Sequence, residues 1–139
     1  MVQEHALGCA VACVAFRCGV PYKKAITLFK ERSHAWTRGY YCEEVVYALK
    51  KAGFDYSFAA FEPLSFPDHR EFLKSEGTIA FVEPSAIYPV GHYLIRHGGR
   101  WMNPWLNHPQ LVPVEAGFQI KMPGRASYIV FENSVNLSS

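Results

Sequence analysis

Residues 9–18, CAVACVAFRC, carry a single charge, Arg17, and are otherwise apolar on every side. A helix without a polar face has to be packed on several sides. Residues 8–19 therefore predict a central helix that the rest of the chain wraps, with Gly19 as its stop. With 139 residues, half of them apolar and 19% charged, the chain is long enough for one domain with a real core.

The pattern changes once, near Gly53. Before it the periodicity is helical. Residues 21–32, PYKKAITLFKER, predict a second helix with Pro21 in its first turn and an apolar stripe of Ala25, Ile26, Leu28 and Phe29. Residues 41–52 predict a third. Glu43 and Glu44 open it and Lys50 and Lys51 close it, as the macrodipole favours. After Gly53 the chain alternates like strands: 54–61, then a short helix at 67–76, then TIAFVEP, GHYLIRH, RWMNPW, FQIKM and SYIVFE. Gly98-Gly99 marks a tight hairpin turn, and three prolines make 104–113 a loop. Helices first and an antiparallel sheet second predict an α+β fold. The organisation expected is one domain over 1–139, with a helical half at about 1–53, a sheet half at about 54–132 and a frayed tail at 133–139.

The net charge of +2 and scattered basic residues argue against a nucleic-acid partner. No run of about 18 apolar residues exists, so no membrane span is expected. The apolar N-terminal stretch lacks the basic region of a signal peptide, and Glu4 and His5 precede it. Cytoplasm is the default expectation, with secretion or injection into another cell left open. The four cysteines, Cys9, Cys13, Cys18 and Cys42, show no disulfide framework and suit a reducing compartment. Oligomeric state is not legible.

Cys9 stands at the expected first turn of the central helix. A helix N-terminus favours a thiolate, the nucleophilic form of cysteine. Gly8 before it predicts room for a substrate chain. Attack by a thiolate on an amide carbonyl creates an oxyanion that needs donors. The Cys9 backbone N–H is one candidate, and the Gln3 side chain, six residues upstream, is the other. Six histidines compete as base: 5, 34, 69, 92, 97 and 108. His92 is the best placed, because it begins an inward-facing strand. With a hairpin turn at 98–99, residue 103 returns roughly opposite 93–95, so Asn103 can orient the His92 ring. His108 is the reserve base. The i, i+4, i+8 set His5, Cys9, Cys13 lacks the close pairs of a structural zinc site, so no metal is expected. Cys13, Cys18 and Cys42 read as core.

The glutamine-to-cysteine spacing in QEHALGC, the block GTIAFVEP…GHYLIR and the NP after the hairpin resemble papain-like cysteine peptidases, most closely the bacteriocin-processing, double-glycine peptidase branch. The resemblance covers about residues 2–106. It implies a helical half facing an antiparallel sheet half, with the active site in the cleft between them. It also implies a peptide or protein substrate, no cofactor, Cys9 as nucleophile, His92 as base and acid, Asn103 as orienting residue and Gln3 as oxyanion donor. Two positions depart from the branch: Ala10 follows the cysteine where glycine is usual, and Asn103 stands where Asp is more common.

Gly8, Gly91 and Trp105 are expected beside the substrate, with Trp36, Tyr40, Tyr41 and Trp101 as further cleft aromatics and 84–89 as a substrate-side loop. The leading reading is a thiol hydrolase cleaving a peptide or related amide bond through a thioester. Two alternatives stand beside it: an effector or toxin acting as deamidase or acyl transferase on a protein, and an inactive peptide-binding pseudo-peptidase.

Overall fold

The apolar run forms helix α1, Cys9–Cys18, and Gly19 ends it in the left-handed conformation at φ 67°. From Cys9 to Ala15 every residue of α1 is buried. These features belong to a computed structural model of the chain, which describes residues 3–66, 68–106 and 115–133. Residue 108, the reserve base, lies outside the described residues, as do most of the proline-rich loop and positions 134–139 of the tail.

The second helix is much shorter than its apolar stripe predicts. Helix α2 spans Tyr22–Ala25, a 3-10 turn follows at Ile26–Leu28, and Phe29 is extended at ψ 147°. Tertiary contacts override the local preference there. Phe29 is drawn into the core against the Tyr40 ring, 4.3 Å between centroids. The Tyr40 hydroxyl donates to the Glu31 carbonyl at 2.7 Å, with that of Arg32 at 3.1 Å, and so ties the chain beyond Phe29 to Tyr40. A short helix that the sequence does not announce, α3, follows at His34–Thr37. Helix α4, Cys42–Lys51, agrees with expectation; Glu44 reaches back to the Tyr41 N–H at 2.8 Å and caps its start.

The change from helix to strand falls where the pattern places it. Strand β1 is Tyr56–Ala60. Helix α5 is only His69–Phe72, with Asp68 accepting from the Arg70 N–H as its cap. Then come β2 Ile79–Val82, β3 His92–His97, β4 Arg100–Asn103, β5 Gly117–Gln119 and β6 Ala126–Glu132. They form one antiparallel sheet in the order β1-β6-β2-β3-β4-β5. β5 is shorter than the FQIKM run because Gln119 already stands opposite Trp101, and beyond Arg100 the partner strand β4 gives way to the Gly98-Gly99 turn.

The two sheet faces divide the core. Ile79, Tyr93, Ile95, Met102 and Val130 pack under α1 and α4. On the other face Ala80, Val82, Leu94 and Trp101 pack with Tyr88. Thus α1 is enclosed as its sequence requires, and its first residue is delivered to the start of β3. The fold is α+β. Among the described residues no helix is long and apolar enough to cross a membrane.

Candidate active site

Three of the four predicted catalytic side chains converge. The Cys9 sulfur meets the start of β3, where it accepts the backbone N–H of Tyr93 at 3.4 Å. Tyr93 follows His92 directly, and Cys9 and His92 line the same cavity, of about 320 Å³. The His92 Nε2 lies 2.7 Å from Asn103 Oδ1. The β3–β4 register explains that meeting. Ile95 pairs with Met102, so Asn103 stands one step further along, on the face His92 shares with Leu94.

The tautomer of His92 follows from the backbone. The Trp105 N–H, which can only donate, bonds Asn103 Oδ1 at 2.9 Å. The amide oxygen is therefore the atom facing His92, and an oxygen acceptor requires a hydrogen on Nε2. In the neutral ring Nδ1 is then the basic nitrogen. The Tyr88 ring lies flat on the imidazole, with centroids 4.1 Å apart and planes 1° apart.

The electrostatics of Cys9 are less favourable than a helix N-terminus suggests. Burial pushes its thiol up to about 11, against the opposing pull of the Tyr93, Ala10 and Cys9 backbone N–H groups. Desolvation wins because the residue is only 9% exposed. Burial thus opposes the thiolate that the helix end favours, and a base to take the thiol proton gains importance. The other cysteines behave as core thiols in direction. Burial raises Cys13, Cys18 and Cys42, the last opposed by a Tyr93 hydroxyl 3.6 Å from its sulfur.

Gln3 is buried but does not stand in the cavity wall. Its Nε2 donates to the carbonyls of His5 and Ala6, at 2.9 and 3.1 Å, and its Oε1 is buried with no partner among the described residues. In this state it pins the loop before α1, and no N–H of its amide is directed at the sulfur. Gly8 also has a different reason from the one expected. A Cβ there would lie 2.0 Å from the Tyr22 hydroxyl, so the space that glycine leaves is filled by Tyr22, which bonds His5 Nδ1 at 3.0 Å. Room for substrate is not what Gly8 provides.

Gly91 and Trp105 do line the cavity, as do Tyr40, Tyr41 and, from the 84–89 loop, Tyr88 and Pro89. Trp36 and Trp101 do not. Trp36 lies tilted against His5 and is more than half exposed, while Trp101 is buried further along the sheet face that carries Leu94 and Asn103. Gly91 is required on two counts. Its φ is 82°, and a Cβ would meet the Phe81 ring and the Val82 carbonyl at 2.2 and 2.8 Å. The remaining described histidines are placed elsewhere: His34 on Glu44, His69 on the Glu62 N–H and His97 on Glu76.

Sequence reasoning missed Tyr88, Gln119 and Arg38. Tyr88 and Gln119 take the two hydrogens of the Asn103 amide, at 2.9 and 2.7 Å. Arg38 walls the cavity, with its charge matched by Glu44 through two bonds of 2.9 and 3.0 Å. The cavity lining is otherwise uncharged, mostly apolar and aromatic, which suits an uncharged segment of a chain rather than a small anion. Compared with known proteins, the chain matches no family model and no curated protein.

Proposed function

We propose that this chain is a papain-like thiol hydrolase that cleaves a peptide or related amide bond. The observation that carries the reading is a single constellation. Cys9 and His92 share one cavity, His92 Nε2 is held by Asn103 at 2.7 Å, and the Tyr93 N–H ties the sulfur to the start of β3 at 3.4 Å. Nucleophile, base and orienting group are the three parts a thiol hydrolase needs.

The chemistry runs as follows. As Sγ attacks the carbonyl carbon, Nδ1 of His92 takes the thiol proton, so the neutral resting thiol is compatible with the step. The carbonyl π pair moves to oxygen, where the Cys9 N–H at the helix mouth is the donor. When the intermediate collapses, the imidazolium gives its proton to the departing amine and a thioester remains. Water then enters, His92 takes one of its protons, and attack on the thioester releases the acid and the thiol. Gln3 joins the oxyanion site only by exchanging a bond, the longer one to the Ala6 carbonyl being the candidate.

Burial of the thiol favours a second reading, an inactive cleft that binds peptides. The two are separated by incubating the full chain with a mixed peptide library and scoring new termini by mass spectrometry. The hydrolase reading expects cleavage that is lost in Cys9→Ala and in His92→Ala. A folded Cys9→Ala chain that still cleaves ends it. Peptides retained by the wild-type chain without cleavage support the binding cleft. A one-dalton gain on an intact protein target would move the reading to deamidation.

A further inference from the structure

Asn103 has no exposed surface, and both ends of its amide are taken. Oδ1 accepts from His92 Nε2 and from the Trp105 N–H. Nδ2 donates to the Tyr88 hydroxyl and to Gln119 Oε1. The two ends of an amide are nearly the same shape, so partners decide which way it faces.

Tyr88 closes a circuit around that amide. Its hydroxyl gives its own hydrogen to the Trp105 carbonyl at 3.1 Å, which makes it an acceptor for Asn103 Nδ2. The Trp105 N–H returns to Oδ1. Gln119 Oε1, brought in by β5, can only accept. With the amide reversed, Oδ1 would face Gln119 Oε1, and Nδ2 would face the Trp105 N–H. His92 would then have to offer Nε2 as a lone pair and carry its hydrogen on Nδ1. That is the wrong tautomer for taking a proton from Cys9.

We propose that Tyr88 and Gln119 are positioning residues that hold His92 as the Nε2–H tautomer through Asn103, the Tyr88 ring also serving as the platform on which the imidazole lies. Gln119 does not line the cavity, so it acts only through Asn103. The catalytic consequence rests on the hydrolase reading; the tautomer itself does not.

The test is nitrogen NMR of the full chain with 15N-labelled histidine, the His92 signals identified by their loss in His92→Gln. The wild-type chain is expected to show Nε2–H alone. Gln119→Leu and Tyr88→Phe each remove one partner of Nδ2 and should move the tautomer ratio by about fivefold toward Nδ1–H, the equivalent of one hydrogen bond. Gln119→Glu keeps an acceptor and should restore the wild-type signals. In cleavage assays Gln119→Leu should lower kcat and leave KM unchanged. A wild-type Nδ1–H signal overturns the proposal. So does an unchanged ratio in both Gln119→Leu and Tyr88→Phe, or a Gln119→Glu chain no better than Gln119→Leu. A chain that shows the lock and its loss but cleaves no peptide sinks the hydrolase reading and leaves this one standing.

Discussion

The backbone N–H of Tyr93 points at the sulfur of Cys9 from 3.4 Å, so the strand that carries the imidazole also carries a donor to the thiol. Two influences on that sulfur compete. Donors at the helix mouth favour the anion, and burial opposes it more strongly, leaving the thiol at about 11. The sign follows: below that value the proton stays on sulfur, and each unit of rising pH releases about ten times more thiolate. Alkylation of native Cys9 by iodoacetamide should therefore climb about tenfold per unit from pH 6 to 9. Mass spectrometry should map the site in a Cys18→Ser background, because Cys18 is the partly exposed cysteine. A rate that is already flat at pH 6 would mean a preformed thiolate–imidazolium pair. Inertness until the protein unfolds would mean a core thiol.

Asn103 gives two variants with different outcomes. Asn103→Ala strips a fully buried site of its amide and leaves His92, Trp105, Tyr88 and Gln119 each short of a partner. A loss of about 2–4 kcal/mol of stability is expected, together with most of the activity. Asn103→Asp keeps an oxygen for His92 and for the Trp105 N–H. Its second oxygen then faces Gln119 Oε1 with no hydrogen between them, so part of the stability is lost while the acceptor for His92 stays. Cleavage within about tenfold of wild type is expected for Asn103→Asp, and urea unfolding of both variants beside their kcat/KM separates support from chemistry. Equal damage from the two would show that the site needs the amide rather than an acceptor for His92.

How far the sequence carried this site depends on the kind of information each residue holds. The meeting of His92 with Asn103 was legible because a two-residue glycine turn fixes strand register, and register fixes neighbours. Cys9 was legible because an apolar helix has only one place to go. Tyr88 was not, since a residue four places before a strand can fall on either side of it, and only the fold of the 84–91 loop brings its ring over His92. Gln119 was invisible for a further reason: residues 104–116 separate β5 from β4 in the chain, a separation that carries no local pattern. Gln3 and Gly8 show the opposite failure. Their spacing suggested roles at the sulfur, but nearer partners, the His5 and Ala6 carbonyls and the Tyr22 hydroxyl, occupy them first. The overlong second helix failed because a stripe of apolar residues fits an extended Phe29 as well as a helical one.

Glu44 ties one cavity wall to α4. Its carboxylate receives two bonds from Arg38 and one from the Tyr41 N–H, and it faces His34 Nδ1 at 3.0 Å. Partial burial is the largest influence and pushes the carboxyl up, but Arg38, Tyr41 and His34 together hold it below its usual range. A lowered folded value contributes stability that is present above the unfolded value and lost as pH falls through the folded one. Glu44→Gln should therefore be less stable than wild type at pH 7, by about 1 kcal/mol for a partly exposed network. The gap should narrow as pH falls below the ordinary glutamate value of about 4.3 and on through the lower folded one. Urea midpoints at pH 7 and pH 3.5 measure it. Because Arg38 through Tyr41 line the cavity, KM should rise in the same variant. A stability gap that persists unchanged at pH 3.5 would assign the loss to packing rather than charge.

Gly91 is the position where the cavity meets the backbone most tightly. It sits at φ 82°, directly before His92, and β2 shifts register between Phe81 and Val82 just beneath it. A methyl at Gly91 meets two different obstacles. The Phe81 ring tip at 2.2 Å can swing, but Phe81 also lines the cavity, so yielding there fills the substrate space. The Val82 carbonyl at 2.8 Å belongs to the sheet, and its register partner is His92. The left-handed conformation adds about 1–2 kcal/mol for any residue with a Cβ. Gly91→Ala should thus lower Tm by at least about 4 °C and, by moving the start of β3, weaken cleavage by more than the loss of folded protein explains. Gly99→Ala is the control. It has a similar positive φ of 76°, with nothing within 4 Å of the added carbon, so it should share the backbone cost and keep wild-type cleavage. Equal effects of the two substitutions on kcat/KM would show that backbone conformation, and not the contact with Phe81 and Val82, makes glycine necessary beside His92.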